Sequence, residues 1–186
     1  MPLFWILTAF IALAAIIMYN TLIGRKNQVE NIYGSLDALL KKRFDLIPNL
    51  VASVEEYMKH EEGVLTRITE LRSQALNPST HAEEKLALSN ELSQLLSGIM
   101  VAVENYPLLK ASDNFLYLQS TLTEIEEQIS AARRAYNQVI TDYNNSVQMF
   151  PTSLMAALMG YTPKQLLSTP IKERENINVA SLFKDR

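Results

Sequence analysis

Residues 113–150 read DNFLYLQSTLTEIEEQISAARRAYNQVITDYNNSVQMF. Within them Phe115, Leu118, Leu122, Ile125, Ile129, Ala132, Tyr136, Val139 and Tyr143 recur at alternating steps of three and four. That spacing is the a/d seam of an amphipathic helix, sustained for four heptads. Ser112 or Asp113 can cap its start and Pro151 ends it. A helix of about 37 residues would be roughly 55 Å long. Such a seam is the core stripe of an antiparallel bundle; a coiled coil with another chain is the competing reading.

The same periodicity extends toward the N-terminus. Over residues 25–75 the apolar stripe is Val29, Ile32, Leu36, Leu40, Phe44, Ile47, Val51, Val54 and Met58, resuming through Leu65, Ile68, Leu71 and Ala75. Pro48 interrupts it. An interior proline removes one hydrogen bond and collides with the preceding turn, so a bend or short break is expected at residues 45–48. Asn77-Pro78-Ser79-Thr80 forms a turn that also supplies an N-cap. A further helix over residues 81–105 carries Leu86, Leu92, Leu95 or Leu96, Ile99 and Val103 before Tyr106-Pro107 ends it.

Beyond Pro151, Met155, Leu158 and Met159 predict one short amphipathic helix, and Pro163 and Pro170 prevent any long helix after it. Residues 172–178 are charged, and Val179, Leu182 and Phe183 form a small apolar cluster suited to docking on the bundle or a partner.

At the other end, Leu3 to Ile23 reads LFWILTAFIALAAIIMYNTLI, 21 residues without a charge. At about 1.5 Å per residue they cover roughly 30 Å, the thickness of a bilayer core. Leu3, Phe4, Trp5, Ile6, Leu7, Phe10, Ile11, Leu13, Ile16, Ile17, Leu22 and Ile23 supply the apolar surface of a transmembrane anchor. Trp5 and Tyr19 suit the two interfaces. A cleaved signal peptide is the main alternative, with Ala12-Leu13-Ala14 as a cleavage site, but no basic region precedes the apolar run. Arg25 and Lys26 come directly after the span, with Lys41, Lys42 and Arg43 further on. The positive-inside rule then puts the N-terminus outside and the adjoining domain in the cytoplasm.

Composition excludes several function classes. The 17 basic and 20 acidic residues give a net charge of −3, all of it beyond residue 24. Nucleic-acid binders show a basic excess, so no nucleic-acid partner is expected. With no cysteine there is no disulfide, thiolate metal site or cysteine nucleophile. The two histidines, His60 and His81, lack a glutamate three residues before them, so the Glu-x-x-His pattern of a di-iron bundle is absent. Glu56 and His60, four apart, read as a surface pair on one helix face. Neither a zinc-protease motif, a nucleophile elbow nor a phosphate-binding glycine loop occurs. No catalytic, cofactor-binding or metal-binding set is expected. Arg43 and Asp45 beside Pro48, and Arg133 and Arg134 beside the seam, read as polar groups that fix register or cap a broken turn; a binding role is the alternative, since an exposed kink leaves backbone groups unpaired.

A series of blocks resembles the LemA family. Near the end of the span comes Tyr19-Asn20, and after it Arg25-Lys26-Asn27-Gln28-Val29, then Ser35-Leu36-Asp37. Lys42-Arg43-Phe44-Asp45-Leu46-Ile47-Pro48-Asn49-Leu50-Val51 is the most specific block, with Tyr57 and His60-Glu61 after it. Tyr106-Pro107-Leu108-Leu109-Lys110-Ala111, Phe115, Leu118-Gln119, Arg133, Tyr136-Asn137, Tyr143-Asn144 and Phe150-Pro151 complete it. Gly34 departs from the pattern, and the chain beyond Tyr161 matches poorly.

The resemblance implies a structural role for Arg43, Asp45, Pro48, Asn49, His60, Glu61, Tyr106, Pro107, Arg133, Tyr136, Asn137, Tyr143, Asn144, Phe150 and Pro151. It implies no enzyme activity. The expected organisation is all-α: a transmembrane anchor over 1–24, an antiparallel four-helix bundle with long helices over 25–150, split at Pro48, and a tail over 151–186 with one short helix. The expected function is a non-enzymatic scaffold at the bacterial inner membrane, single-pass and homo-oligomeric, with membrane lipid as its partner. An adaptor or sensor that docks a client protein or a membrane protease is the alternative.

Overall fold

The computed structural model describes residues 1–80 and 82–167. His81 and the apolar cluster of Val179, Leu182 and Phe183 lie outside them. The described residues form helices α1 (Pro2–Asp45), α2 (Ile47–Val54), α3 (Glu62–Ala75), α4 (Ala82–Ala102), α5 (Pro107–Lys110), α6 (Asp113–Gln148) and α7 (Thr152–Leu158). Short 3-10 turns cover Lys59–Glu61 and Val103–Asn105. No strand occurs among the described residues.

The N-terminal apolar run and the first core helix are one element. α1 continues for 44 residues, and no break separates residue 24 from 25. It stops where Pro48 dictates. Proline has no N–H to offer the carbonyl four residues back. That carbonyl belongs to Phe44, and Arg72 Nε donates to it instead at 3.2 Å. α2 then restarts at Ile47, so the expected break falls at Leu46.

A second break is unannounced by any proline. Met58 leaves the helical region (φ −108°, ψ 56°), and residues 55–58 are not helical. Glu56 and His60 are therefore not neighbours on one helix face, and both are exposed. Tyr106, extended as a residue before proline should be, ends the α4 region (φ −123°, ψ 78°). At α6 the N-cap is Ser112, but its side chain makes no capping hydrogen bond.

α1 and α6 run antiparallel along most of their length. Three pairs fix the register: Arg43 with Glu126 at 2.7 Å, the rings of Tyr33 and Tyr136 at 5.9 Å, and Arg25 with Asp142 at 3.3 Å. Of the seam, Phe115, Leu118, Leu122, Ile125, Ile129, Val139 and Tyr143 are buried, while Ala132 and Tyr136 are half-buried. The core forms three clusters along this pair. Leu22, Val29, Val139, Ile140, Tyr143, Val147 and Ala156 occupy one end. Leu36, Leu40, Leu86, Ile125 and Ile129 lie in the middle. At the far end α2, α3, α4 and α5 close around Phe44, Leu50, Ile68, Leu92, Leu109 and Phe115. Only α1 and α6 are long; α3 has 14 residues and α4 has 21. The stretch Glu84–Asn105, most of it α4, has the length and hydropathy to cross a membrane, but its Leu86, Leu92, Leu96 and Ile99 are buried in the core.

Candidate functional site

Among the described residues little covers the apolar segment: Ala14, Ala15 and Met18 are half-buried and the rest of residues 1–21 is exposed. No side chain from Met1 to Thr21 is buried. Leu3, Phe4, Trp5, Ile6, Leu7, Phe10, Ile11, Leu13, Ile16 and Ile17 are all exposed, Leu3 at 79%. Its two threonines bond to the helix backbone: the Thr8 and Thr21 hydroxyls donate to the carbonyls of Phe4 and Ile17 at 2.9 and 2.8 Å. Two residues counted with this segment behave otherwise. Leu22 is fully buried among α6 and α7 side chains, and Ile23 is half-buried. The packed domain thus begins inside the apolar run.

A polar cluster crosses the middle of the fold. Arg43 is 3% exposed. Its guanidinium meets Glu126 at 2.7 Å and donates to Ser89 Oγ at 3.0 Å and the Ser89 carbonyl at 3.4 Å. Burial pulls its pKa down, the Glu126 carboxylate opposes that, and Arg133 adds to the lowering. Ser93 donates to the same carboxylate at 3.4 Å, and Arg133 donates to Asn90 Oδ1 at 2.6 Å. The cluster ties α1, α4 and α6 together in one register. Asp45, Pro48 and Asn49 are exposed around the α1–α2 break, away from it.

The remaining motif residues are split between the two ends. At the far end the Tyr106 hydroxyl donates to Glu61 Oε2 at 3.1 Å, joining the α2–α3 break to the α4–α5 turn. Burial and then Glu61 push this phenol's pKa up. Pro107 opens α5, and His60 is exposed. At the other end, Asn144 and Asn137 hold the chain that returns after α7. Asn144 donates to the Lys164 carbonyl and accepts from the Lys164 N–H, both at 2.8 Å. Asn137 does the same to Leu167 at 3.0 and 2.8 Å. The Tyr143 hydroxyl donates to the Thr162 carbonyl at 3.2 Å, and burial, with Tyr161, raises its pKa. Phe150 and Pro151 form the exposed α6–α7 corner.

Sequence reasoning missed Glu126, Ser89, Asn90 and Asp142, the partners of residues it singled out. The available signal was small or charged residues directly beside seam positions: Glu126 after Ile125, Ser89 after Leu88. Two hollows lie on the surface of the described residues. A groove of about 650 Å³ runs between α2 and α3, lined by Val51, Met58 and Leu65 among polar residues. A smaller one of about 280 Å³ lies where α4, α6 and residues 165–167 meet. No group of three or more His, Cys, Asp or Glu residues able to hold a metal occurs among the described residues.

The comparisons with known proteins agree with one another. The model of the LemA family matches residues 33–180. Protein LemA of Metamycoplasma hominis is 25% identical over 180 residues, covering 93% of this chain and 82% of that protein. Magnetosome protein MamQ 2 of Paramagnetospirillum magneticum is 22% identical over 178 residues, covering 82% of this chain and 65% of its own length. Magnetosome protein MamQ of Magnetospirillum gryphiswaldense is 19% identical over 180 residues, covering 83% of this chain and 66% of its own. This chain therefore spans just under two thirds of these magnetosome relatives. None of these names denotes an enzyme. The match to the family model takes in most of the chain, and the chain belongs to the LemA family.

Proposed function

We propose that this chain is a membrane-anchored, non-enzymatic scaffold that self-associates at the bacterial inner membrane. One observation carries the reading. α1 passes without a joint from an uncovered apolar segment into the core of the domain. The uncovered part matches a bilayer in length and calls for lipid as its partner. A flexible linker would let the domain wander; a continuous helix fixes its height and orientation, which is what ordering copies in the membrane plane requires. Arg25 and Lys26 at the end of the span support an outside N-terminus and a cytoplasmic domain. The magnetosome relatives' names support a part in an assembled structure rather than in a reaction.

The test is the mass of the full chain in mild detergent by light scattering. Beside it stands a variant whose residues 2–17 are replaced by a soluble helix-forming sequence that leaves Leu22 in place. A defined oligomer for the first and a monomer for the second is the expected result. Monomers in both would overturn the scaffold reading.

The groove between α2 and α3 favours a second reading, an adaptor for a client protein. Crosslinking in cells that recovers only contacts between copies of this chain would remove it.

A further inference from the structure

The two longest stretches of this chain without a charged side chain are far apart in sequence. One is residues 1–24. The other runs from Tyr143 to Pro163, between Asp142 and Lys164. The fold brings them to the same end of the molecule, where Leu22 shares a core cluster with Val147 and Ala156. Charge begins on both at one level: Arg25 pairs with Asp142 at 3.3 Å, and Lys26 lies 5.7 Å over the Tyr161 ring. The α1–α6 register, continued past that ion pair by one to two turns, sets Met149 and Phe150 beside Met18 and Tyr19.

What arrives there is apolar and uncovered. Phe150 is 80% exposed and Leu158 is 83% exposed. Met155 and Ala156 of α7, with Met159 just after it, pack against the α1–α6 core, while Leu154 and Leu158 remain exposed. A helix apolar on both faces belongs where both faces meet an apolar medium. An exposed apolar patch of this kind marks an interaction surface.

We propose that the corner from Met149 to Leu158 is a second membrane contact, seated in the interface between acyl chains and headgroups. The occupant is the bilayer, because the patch continues the surface of the uncovered α1 segment and both end at the same level of charge. Shallow burial of an apolar helix face at the headgroup boundary is an established mode of membrane contact. The inference rests on the reading of residues 3–21 as a membrane span.

The test uses the full chain in vesicles of phosphatidylcholine and phosphatidylglycerol with brominated acyl chains. Trp5 is the chain's one tryptophan, so the unmodified protein reports on the span itself. Trp5→Phe combined with Phe150→Trp, or with Leu158→Trp, reports on the seat. Trp5→Phe with Leu108→Trp, a position 78% exposed at the far end, is the reference. All three new positions are open enough to accept an indole. The expected result is loss of most emission for Trp5 and for both seat indoles, with none lost at the reference. If Trp5 is quenched and the seat indoles are not, the proposal is overturned. Acrylamide then says whether water reaches them or protein, a second copy or residues 168–186, covers them. An unquenched Trp5 in the unmodified chain removes the span reading, and the seat with it.

Discussion

Asn137 and Asn144 stand one heptad apart on α6, and each amide holds one residue of the returning chain, Leu167 and Lys164, by both its N–H and its carbonyl. The spacing matches on both sides. Seven residues of helix advance about 10.5 Å and three extended residues about 10 Å. Side-chain amides thus stand in for the edge of a sheet, and the chain after α7 is fastened to a helix by backbone-like bonds.

Asn144→Ala should release that chain without unfolding α6. Each of its two bonds is worth roughly 0.5–1.5 kcal/mol net. In hydrogen exchange the Lys164 amide should lose its protection while Val139 and Ile140 keep theirs. Unchanged exchange at Lys164 would show that other contacts hold this segment.

Arg43→Met should cost roughly 1–3 kcal/mol, because it leaves the buried Ser89 hydroxyl and carbonyl, and the half-exposed Glu126 carboxylate, without their donor. Adding Glu126→Leu should recover part of that loss, since it removes the carboxylate but leaves Ser89 without its donor. Urea unfolding of the two variants checks both signs. A double variant no better than the single one would locate the cost at Ser89 and in lost packing around Arg43.

Leu22→Ala and Leu13→Ala are the same chemical change a few turns apart on α1. Leu22 is fully buried and Leu13 is 57% exposed. The first should destabilise the domain by about 2–4 kcal/mol through the cavity it leaves. The second should leave thermal unfolding in detergent unchanged. Equal effects would mean that the domain does not begin within the apolar run.

Glycine substitutions should split by backbone geometry. A methyl group added at Gly34 meets nothing, and the residue lies inside α1, so Gly34→Ala should raise stability by roughly 0.5–1 kcal/mol. Gly160 ends α7 at φ +67°, where the Gly160 N–H reaches the Ala157 carbonyl at 3.2 Å and the Tyr161 N–H reaches that of Ala156 at 2.9 Å. This left-handed cap favours glycine, and Gly160→Ala should lower stability by about 1 kcal/mol. Melting temperatures moving in the same direction for both would contradict the assignment.

Alkaline pH should weaken the fold. Tyr33, Tyr106 and Tyr143 all have pKa values raised above 10.0, burial being the largest cause in each. A phenol raised on folding contributes stability that is full below its unfolded pKa and lost as pH climbs through the folded one. Unfolding free energy, measured against pH, should fall above about 10. Tyr143→Phe should blunt that fall.

Much of this fold was legible because local spacing wrote it. The seam from Phe115 to Tyr143, the apolar run and the break before Pro48 all depend on residues a few positions apart. The break at residues 55–58 was hidden for a definite reason. Met58 and Leu65 are seven apart, two helical turns, so the stripe keeps its phase across the interruption. The visible trace was a missing stripe member, with Lys59, His60, Glu61 and Glu62 in the gap. The partners of Arg43 were out of reach because they depend on the register between separate helices. Glu126 looks like any solvent-facing glutamate until α1 is laid beside α6. The two Tyr-Asn pairs of α6, Tyr136-Asn137 and Tyr143-Asn144, stood out as a motif, but the chain they grip lies beyond Pro151 and shows no periodicity of its own.

The continuity of α1 has a mechanical consequence. A helix tilts to match the hydrocarbon thickness around it. Here about 35 Å of the same rod projects past Ile23 into the domain, so a tilt change of ten degrees would sweep the far end sideways by about 6 Å. On the proposed reading of residues 3–21 as a membrane span, the protein would be a lever pivoted in the bilayer, and the thickness of the lipid around its short arm would set where the α2–α3 groove on its long arm points.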